Sequence, residues 1–196
     1  MAESKAKGSG LLERDRSVLV VIDVQERYMP HLRGPRRLLE AVRRLILGAQ
    51  EVGVPLLLTE QYPQGLGPTN SDLLEVLDPP VTPIEKRTMS CLSEPAFVKE
   101  LESLNRDQIV IAGIEGHACV HQTVHEALSG GYETHVVVDA IDSRFPRDCE
   151  VALERAARAG ATQTTVESVL LEWVRTADAP EFQAVRSLIR DPLPEG

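Results

Sequence analysis

Six short apolar, β-branched runs alternate with segments whose apolar residues recur at helical spacing, and this alternation restricts the chain to a sheet covered by helices. The runs occupy residues 18–23, 54–59, 81–86, 108–113, 134–140 and 162–165; the helical segments occupy 35–52, 94–104, 117–129 and 147–159. That order predicts an α/β protein with a parallel sheet and helices on both faces. Punctuation agrees with it. Gly53, Gly130-Gly131 and Gly160 each follow a helical segment where a left-handed cap is wanted, Pro35 and Pro146 stand where helices start, and Pro95 falls in the first turn after a Ser93 cap. Beyond Val166 a helix runs to Trp173. After a break at Ala179-Pro180, an amphipathic helix over 181–190 is free to close a sheet edge or dock on another subunit.

Composition narrows the class. A hydrophobic fraction of 42% over 196 residues fits one globular domain. No apolar run approaches the ~20 residues of a membrane span. Residues 1–15 are polar, lack an apolar signal core and read as a flexible N-terminal tail, which leaves 16–196 as the domain. The net charge of −9 argues against nucleic acid or an anionic membrane as partner. The one basic cluster, Arg33, Arg36, Arg37, Arg43 and Arg44, reads as the solvated face of a helix. Three cysteines without a CxxC pair suit neither a disulfide framework nor a zinc site, so a cytoplasmic location is expected, with Cys91 and Cys149 structural or incidental.

Chemistry gathers where strands end. Asp23 closes the first run, Lys86 the third, and Cys119 stands where the fourth strand gives way to a helix. In open α/β sheets ligands bind outside the carboxyl ends of strands, so the three can converge. Alone, Cys119 reads as a small buried hydrophobe; Asp23 and Lys86 turn that reading toward a nucleophile. A helix N-terminus would lower the thiol pKa and offer donors to an oxyanion, an aspartate would take the proton and return it to a leaving nitrogen, and the ammonium would favour both anions. Tyr28 and Tyr62, on loops after strand ends, would supply an apolar wall with a hydroxyl. His117, His121 and His125 form one helical stripe, read as exposed or at an interface. Asp139 and Asp142 read as caps of the turns that follow them.

Five separated motifs then carry a resemblance: Val21-Ile22-Asp23-Val24-Gln25, Glu85-Lys86-Arg87-Thr88-Met89-Ser90, Ala112-Gly113-Ile114-Glu115-Gly116-His117-Ala118-Cys119-Val120, Val138-Asp139-Ala140-Ile141-Asp142-Ser143-Arg144, and Gly160-Ala161 leading to Thr164-Thr165-Val166-Glu167-Ser168. Together they resemble the isochorismatase-like cysteine hydrolases, which include nicotinamidases and N-carbamoylsarcosine amidase, over about residues 18–173. The loop at Thr59-Glu60-Gln61-Tyr62-Pro63 resembles the isochorismatase domain-containing branch. The resemblance implies a three-layer Rossmann-like fold with a six-stranded, mostly parallel sheet. It implies Asp23 as general base and acid, Lys86 as electrostatic partner and Cys119 as nucleophile. The backbone N–H groups of Ala118 and Cys119 would form the oxyanion hole, and Ile114-Glu115 would be a cis peptide. Gln25, Tyr28, Gln61, Tyr62 and Glu115 are expected at the substrate. The histidine-bearing metal loop of nicotinamidases has no counterpart in Gln61-Tyr62-Pro63-Gln64-Gly65-Leu66-Gly67-Pro68, so no metal and no cofactor is expected. The expected activity is hydrolysis of a C–N bond in a small amide or carbamoyl compound through a thioester, in a homo-oligomer. Vinyl-ether hydrolysis and a catalytically idle binding or scaffold domain are the alternatives.

Overall fold

The computed structural model describes residues 10–195. Six strands, β1 (Ser17–Ile22), β2 (Leu56–Gln61), β3 (Ile84–Lys86), β4 (Gln108–Ile114), β5 (Glu133–Asp142) and β6 (Thr162–Thr164), form one sheet in the order β3-β2-β1-β4-β5-β6. Every neighbouring pair is parallel. β1 and β4 are buried at every position, as strands covered on both faces must be.

Helices α1 (Pro35–Val52), α7 (Val166–Val174) and α8 (Phe182–Ile189) cover one face, and α4 (Pro95–Ser103), α5 (His121–Ser129) and α6 (Pro146–Ala159) the other. Single-turn helices α2 (Pro63–Leu66) and α3 (Ser71–Leu74) lie in the long connection after β2. Successive β1 residues alternate between the two cores: Leu19 and Val21 join Leu45, Trp173 and Val185, while Val18, Val20 and Ile22 join Phe97, Val124 and Ala156. The final helix therefore docks on α1 of its own chain. Among the described residues no helix is long and apolar enough to cross a membrane.

Three local expectations need correction. The flexible tail cannot extend to residue 15, because Leu12 is fully buried and its N–H donates to Glu172 at 2.7 Å; residues 1–9 lie outside the described region. Arg44 is no surface charge. It is buried, paired with Glu40 at 2.8 Å, and donates to the Asp191 carbonyl at 2.7 Å. Ser93 does not cap α4: Glu94 stands at that position, and the Ser93 hydroxyl donates to Glu126 at 2.9 Å.

Candidate active site

Strand order fixes where a site can form. The sheet runs outward from β1 through β2 and β3 on one side and through β4 to β6 on the other, so the carboxyl ends of β1 and β4 flank its switch point. The two strands approach closely there. A Cβ on Gly113 would lie 2.1 Å from the Ile22 carbonyl oxygen, and the φ of +118° suits only glycine.

Asp23 leaves β1 at this point in the left-handed region, φ 54°, with its N–H donating to the Thr59 carbonyl at 3.2 Å. Lys86 ends β3, and its long side chain crosses the end of β2 to bring Nζ within 2.8 Å of Asp23 Oδ2. The three ammonium protons have other acceptors: Gln61 Oε1 at 2.8 Å and the Thr88 and Met89 carbonyls, each at 3.2 Å. Asp23 Oδ1 accepts from the Thr59 hydroxyl at 2.8 Å. Asp23 Oδ2, although buried and ion-paired, accepts no hydrogen bond. It is thus a carboxylate oxygen with lone pairs to spare. The ammonium, deep in the protein, would be destabilised by burial alone, but Asp23 and the neighbouring thiols hold its pKa above the ordinary value.

Cys119 lies in a π-helical turn, Gly116–Val120, between β4 and α5. Its Sγ touches Met89 Sδ at 3.9 Å, Asp23 lines the same cavity, and the charges of Asp23 and Lys86 both bear on its titration. The expected fall in thiol pKa is reversed. Burial pushes the Cys119 thiol up to about 12, the Asp23 carboxylate adds to the rise, and Lys86 opposes it without prevailing. Cys119 is 6% exposed, and a helix end cannot offset the loss of water around a thiolate. The Ala118 N–H donates to the Glu115 carbonyl at 3.0 Å, so it reaches an oxyanion only by sharing that bond.

Asp23, Tyr28, Gln61, Leu66, Met89, Ile114, Glu115, Ala118 and Cys119 line a cavity of about 200 Å³. That is below the ~300–1,000 Å³ of pockets for drug-sized ligands, so it fits a small molecule. A larger groove of about 450 Å³ runs between Arg33, Arg37 and Asp142, but it contains no nucleophile. The cavity wall is largely Leu66, Met89, Ile114 and the Tyr28 ring.

Glu115 is buried and follows a cis Ile114-Glu115 peptide. Its Oε1 accepts from the Arg144 backbone N–H and Nε, both at 3.0 Å; Oε2 accepts from the Tyr28 hydroxyl in a very short bond and from Arg144 Nη2 at 3.4 Å. Burial alone would raise the Glu115 pKa, but these donors, with His117 nearby, hold it below the usual carboxylate range. The same arrangement raises the Tyr28 pKa, through burial and then its bond to Glu115.

Two expected substrate contacts are corrected. Gln25 is wholly buried and does not line the cavity: its amide donates to the Gly67 and Gln61 carbonyls at 2.6 and 3.1 Å and accepts from the Gln61 N–H at 2.8 Å. It ties the loop after β2 to the end of β1. Tyr62 is 43% exposed and stacks under Arg87 at 4.4 Å, outside the cavity. The sequence does not single out Thr59, Leu66, Met89 or Arg144 as site residues. The register pairing Ile22 with Thr59 would have found Thr59, since it sets that residue beside Asp23.

The histidine stripe separates. His117 turns to Ser143 at 3.1 Å, while the His121 and His125 rings pack edge-on at 4.3 Å. Among the described residues no group of three His, Cys, Asp or Glu could hold a metal ion. Asp139 accepts from the Val166 N–H at the start of α7, and Asp142 from the Ser143 and Gly34 N–H groups, which are capping roles.

Both the sequence and the fold have known relatives. The isochorismatase domain profile matches residues 17–168. Isochorismatase domain-containing protein 2A of Mus musculus is 36% identical over 196 residues, covering 100% of this chain and 92% of the relative. The solved structure of MAR1 ribonuclease from Caenorhabditis elegans matches with a TM-score of 0.88 and 35% identity, over 94% of this chain and 95% of that one. The octameric YcaC hydrolase of Escherichia coli, of unknown specificity, shares the fold at a TM-score of 0.85 and 23% identity, over 93% of this chain and 92% of that one.

Proposed function

The chain belongs to the isochorismatase domain family, and from that premise we propose that it is a cysteine-dependent hydrolase cleaving the C–N bond of a small amide or carbamoyl compound through a thioester. The observation that carries this reading is Asp23 Oδ2, a buried carboxylate oxygen without a hydrogen bond, on a residue that lines one cavity with the Cys119 thiol. With a thiol pKa of about 12, no standing thiolate waits for substrate. Asp23 Oδ2 instead takes the proton as sulfur attacks the carbonyl carbon, with Lys86 stabilising the charge as it moves. The oxyanion develops beside the Cys119 and Ala118 N–H groups. Asp23 returns the proton to the leaving nitrogen, the C–N bond breaks, and a water deprotonated by Asp23 then hydrolyses the thioester and restores the thiol.

Cys119 favours acyl transfer over vinyl-ether cleavage, and the intact Asp23, Lys86 and Cys119 set favours an enzyme over an idle scaffold. The C. elegans relative carries the name ribonuclease. A small cavity faced by Asp23 and Glu115, on a chain of net charge −9, supports a small uncharged or weakly polar substrate over a polyanion. The test is a panel of small amides and carbamoyl compounds, with mass spectrometry of a Cys119 acyl adduct. A hydrolysed substrate whose turnover survives Cys119→Ser would overturn the thioester.

A further inference from the structure

The charges that face the cavity are not balanced at its wall. Two carboxylates line it, Asp23 and Glu115, and among the described residues no cation does. Both neighbouring cations are committed elsewhere. Lys86 is fully buried and does not line the cavity; it is ion-paired with Asp23, and Gln61, Thr88 and Met89 accept its protons. Arg144 lies on the far side of Glu115, its side chain 46% exposed, and grips that carboxylate from outside the cavity. The amide of Gln61 is partly used, its oxygen on Lys86 and one of its two N–H groups on the Arg87 carbonyl at 3.2 Å. An anionic substrate group would therefore lose its water, find no cation on the cavity wall and lie beside two carboxylates. A cation gains little either, because each carboxylate already has a partner within 3.0 Å.

We propose that the cavity selects uncharged amides with a small apolar acyl group, and that Glu115 is the residue that excludes anions. The inference rests on the cysteine hydrolase reading for its reaction, but not for its selectivity. N-carbamoyl amino acids and dicarboxylate vinyl ethers fall outside the accepted class. Simple aliphatic amides fall inside it, with Leu66, Met89 and Ile114 against the acyl chain.

Two electrophiles of nearly equal size, neutral iodoacetamide and anionic iodoacetate, test the selectivity without any turnover. In each, sulfur forms a bond to the CH₂ carbon, the C–I bond breaks, iodide leaves and the thiol proton passes to base. The readout is the iodoacetamide to iodoacetate rate ratio at Cys119, by peptide mass spectrometry at about pH 8, above the ordinary histidine range. The ratio in the folded protein should exceed that in the denatured protein by roughly tenfold or more, a like-charge effect in a partly dry site. Because the thiol pKa slows both reagents alike, it cancels.

Glu115→Gln should bring the ratio back toward the denatured value, whereas Arg144→Gln should raise it further by uncovering the Glu115 charge. A purely structural role for this ion pair would move both variants in the same direction. A folded ratio equal to or below the denatured one, or parallel shifts in the two variants, overturns the inference. Amide turnover that survives Cys119→Ser overturns the thioester reading and leaves the ratio as it was, so the two failures are distinguishable.

Discussion

Asp23 and Glu115 are both buried, both line one cavity and both pair with a cation, yet their hydrogen bonds differ in kind. Asp23 has one oxygen tied to Thr59 and the other ion-paired with Lys86 but accepting no hydrogen bond. Glu115 has both oxygens occupied, by Tyr28 and three donors of Arg144. A carboxylate whose lone pairs are all spent holds its charge and cannot readily accept a proton; one with an oxygen that accepts no hydrogen bond, in the same cavity as a thiol, can. Both are carboxylates and both are buried, so the difference in aptitude lies in the partners.

The sharpest way to break this contrast is Asp23→Asn. It keeps the volume and the Thr59 contact but loses the basic oxygen, so turnover on the true substrate should fall by at least the ~10²–10⁴ of a lost acid–base group, while the chain still folds with a melting point lowered by the loss of the buried Lys86 counter-ion. Near-normal turnover would make Asp23 a structural end to β1.

A smaller effect should come from Thr59→Val, which removes the hydroxyl that holds Oδ1. Freed at one oxygen, the carboxylate can rotate and present Oδ2 poorly. kcat should drop by about 10- to 100-fold, the worth of one hydrogen bond to a charged group, with KM little changed and recovery in Thr59→Ser. A change confined to KM would place Thr59 on the substrate side instead.

The smallest expected effect concerns Glu115 and pH. Its pKa is held below the usual carboxylate value in the folded chain, so its contribution to stability is present above about pH 4.3 and is lost as pH falls through the lower folded pKa. Denaturant unfolding between about pH 6 and 2 should thus show a shallower acid loss in Glu115→Gln than in the parent. Equal slopes would mean that the Tyr28 and Arg144 bonds do not favour the charged form.

The alternation of apolar runs and helical segments made the layered parallel sheet legible, because strand burial on both faces and helical amphipathicity are written locally in residue type. Glycine and proline marked the ends of α1 and α6 for the same reason, with Gly53 and Gly160 in the left-handed region at their caps. Legibility failed where distant groups decide. Leu12 lies in a polar stretch, and nothing local says that Glu172 waits for its N–H.

The sequence by itself determined the strands, the helices and which chemistry-bearing residues stand at strand ends, since each depends on neighbours within a turn or two. Only the tertiary structure decided that Lys86 reaches past β2 to Asp23, that Gln25 braces a loop instead of touching a ligand, and that Tyr62 faces outward. It also reversed the sign of the Cys119 shift. Helix position is local, but the cost of a thiolate depends on how much water the whole fold has removed, and that sum is settled only when the sheet is assembled and its helices cover it.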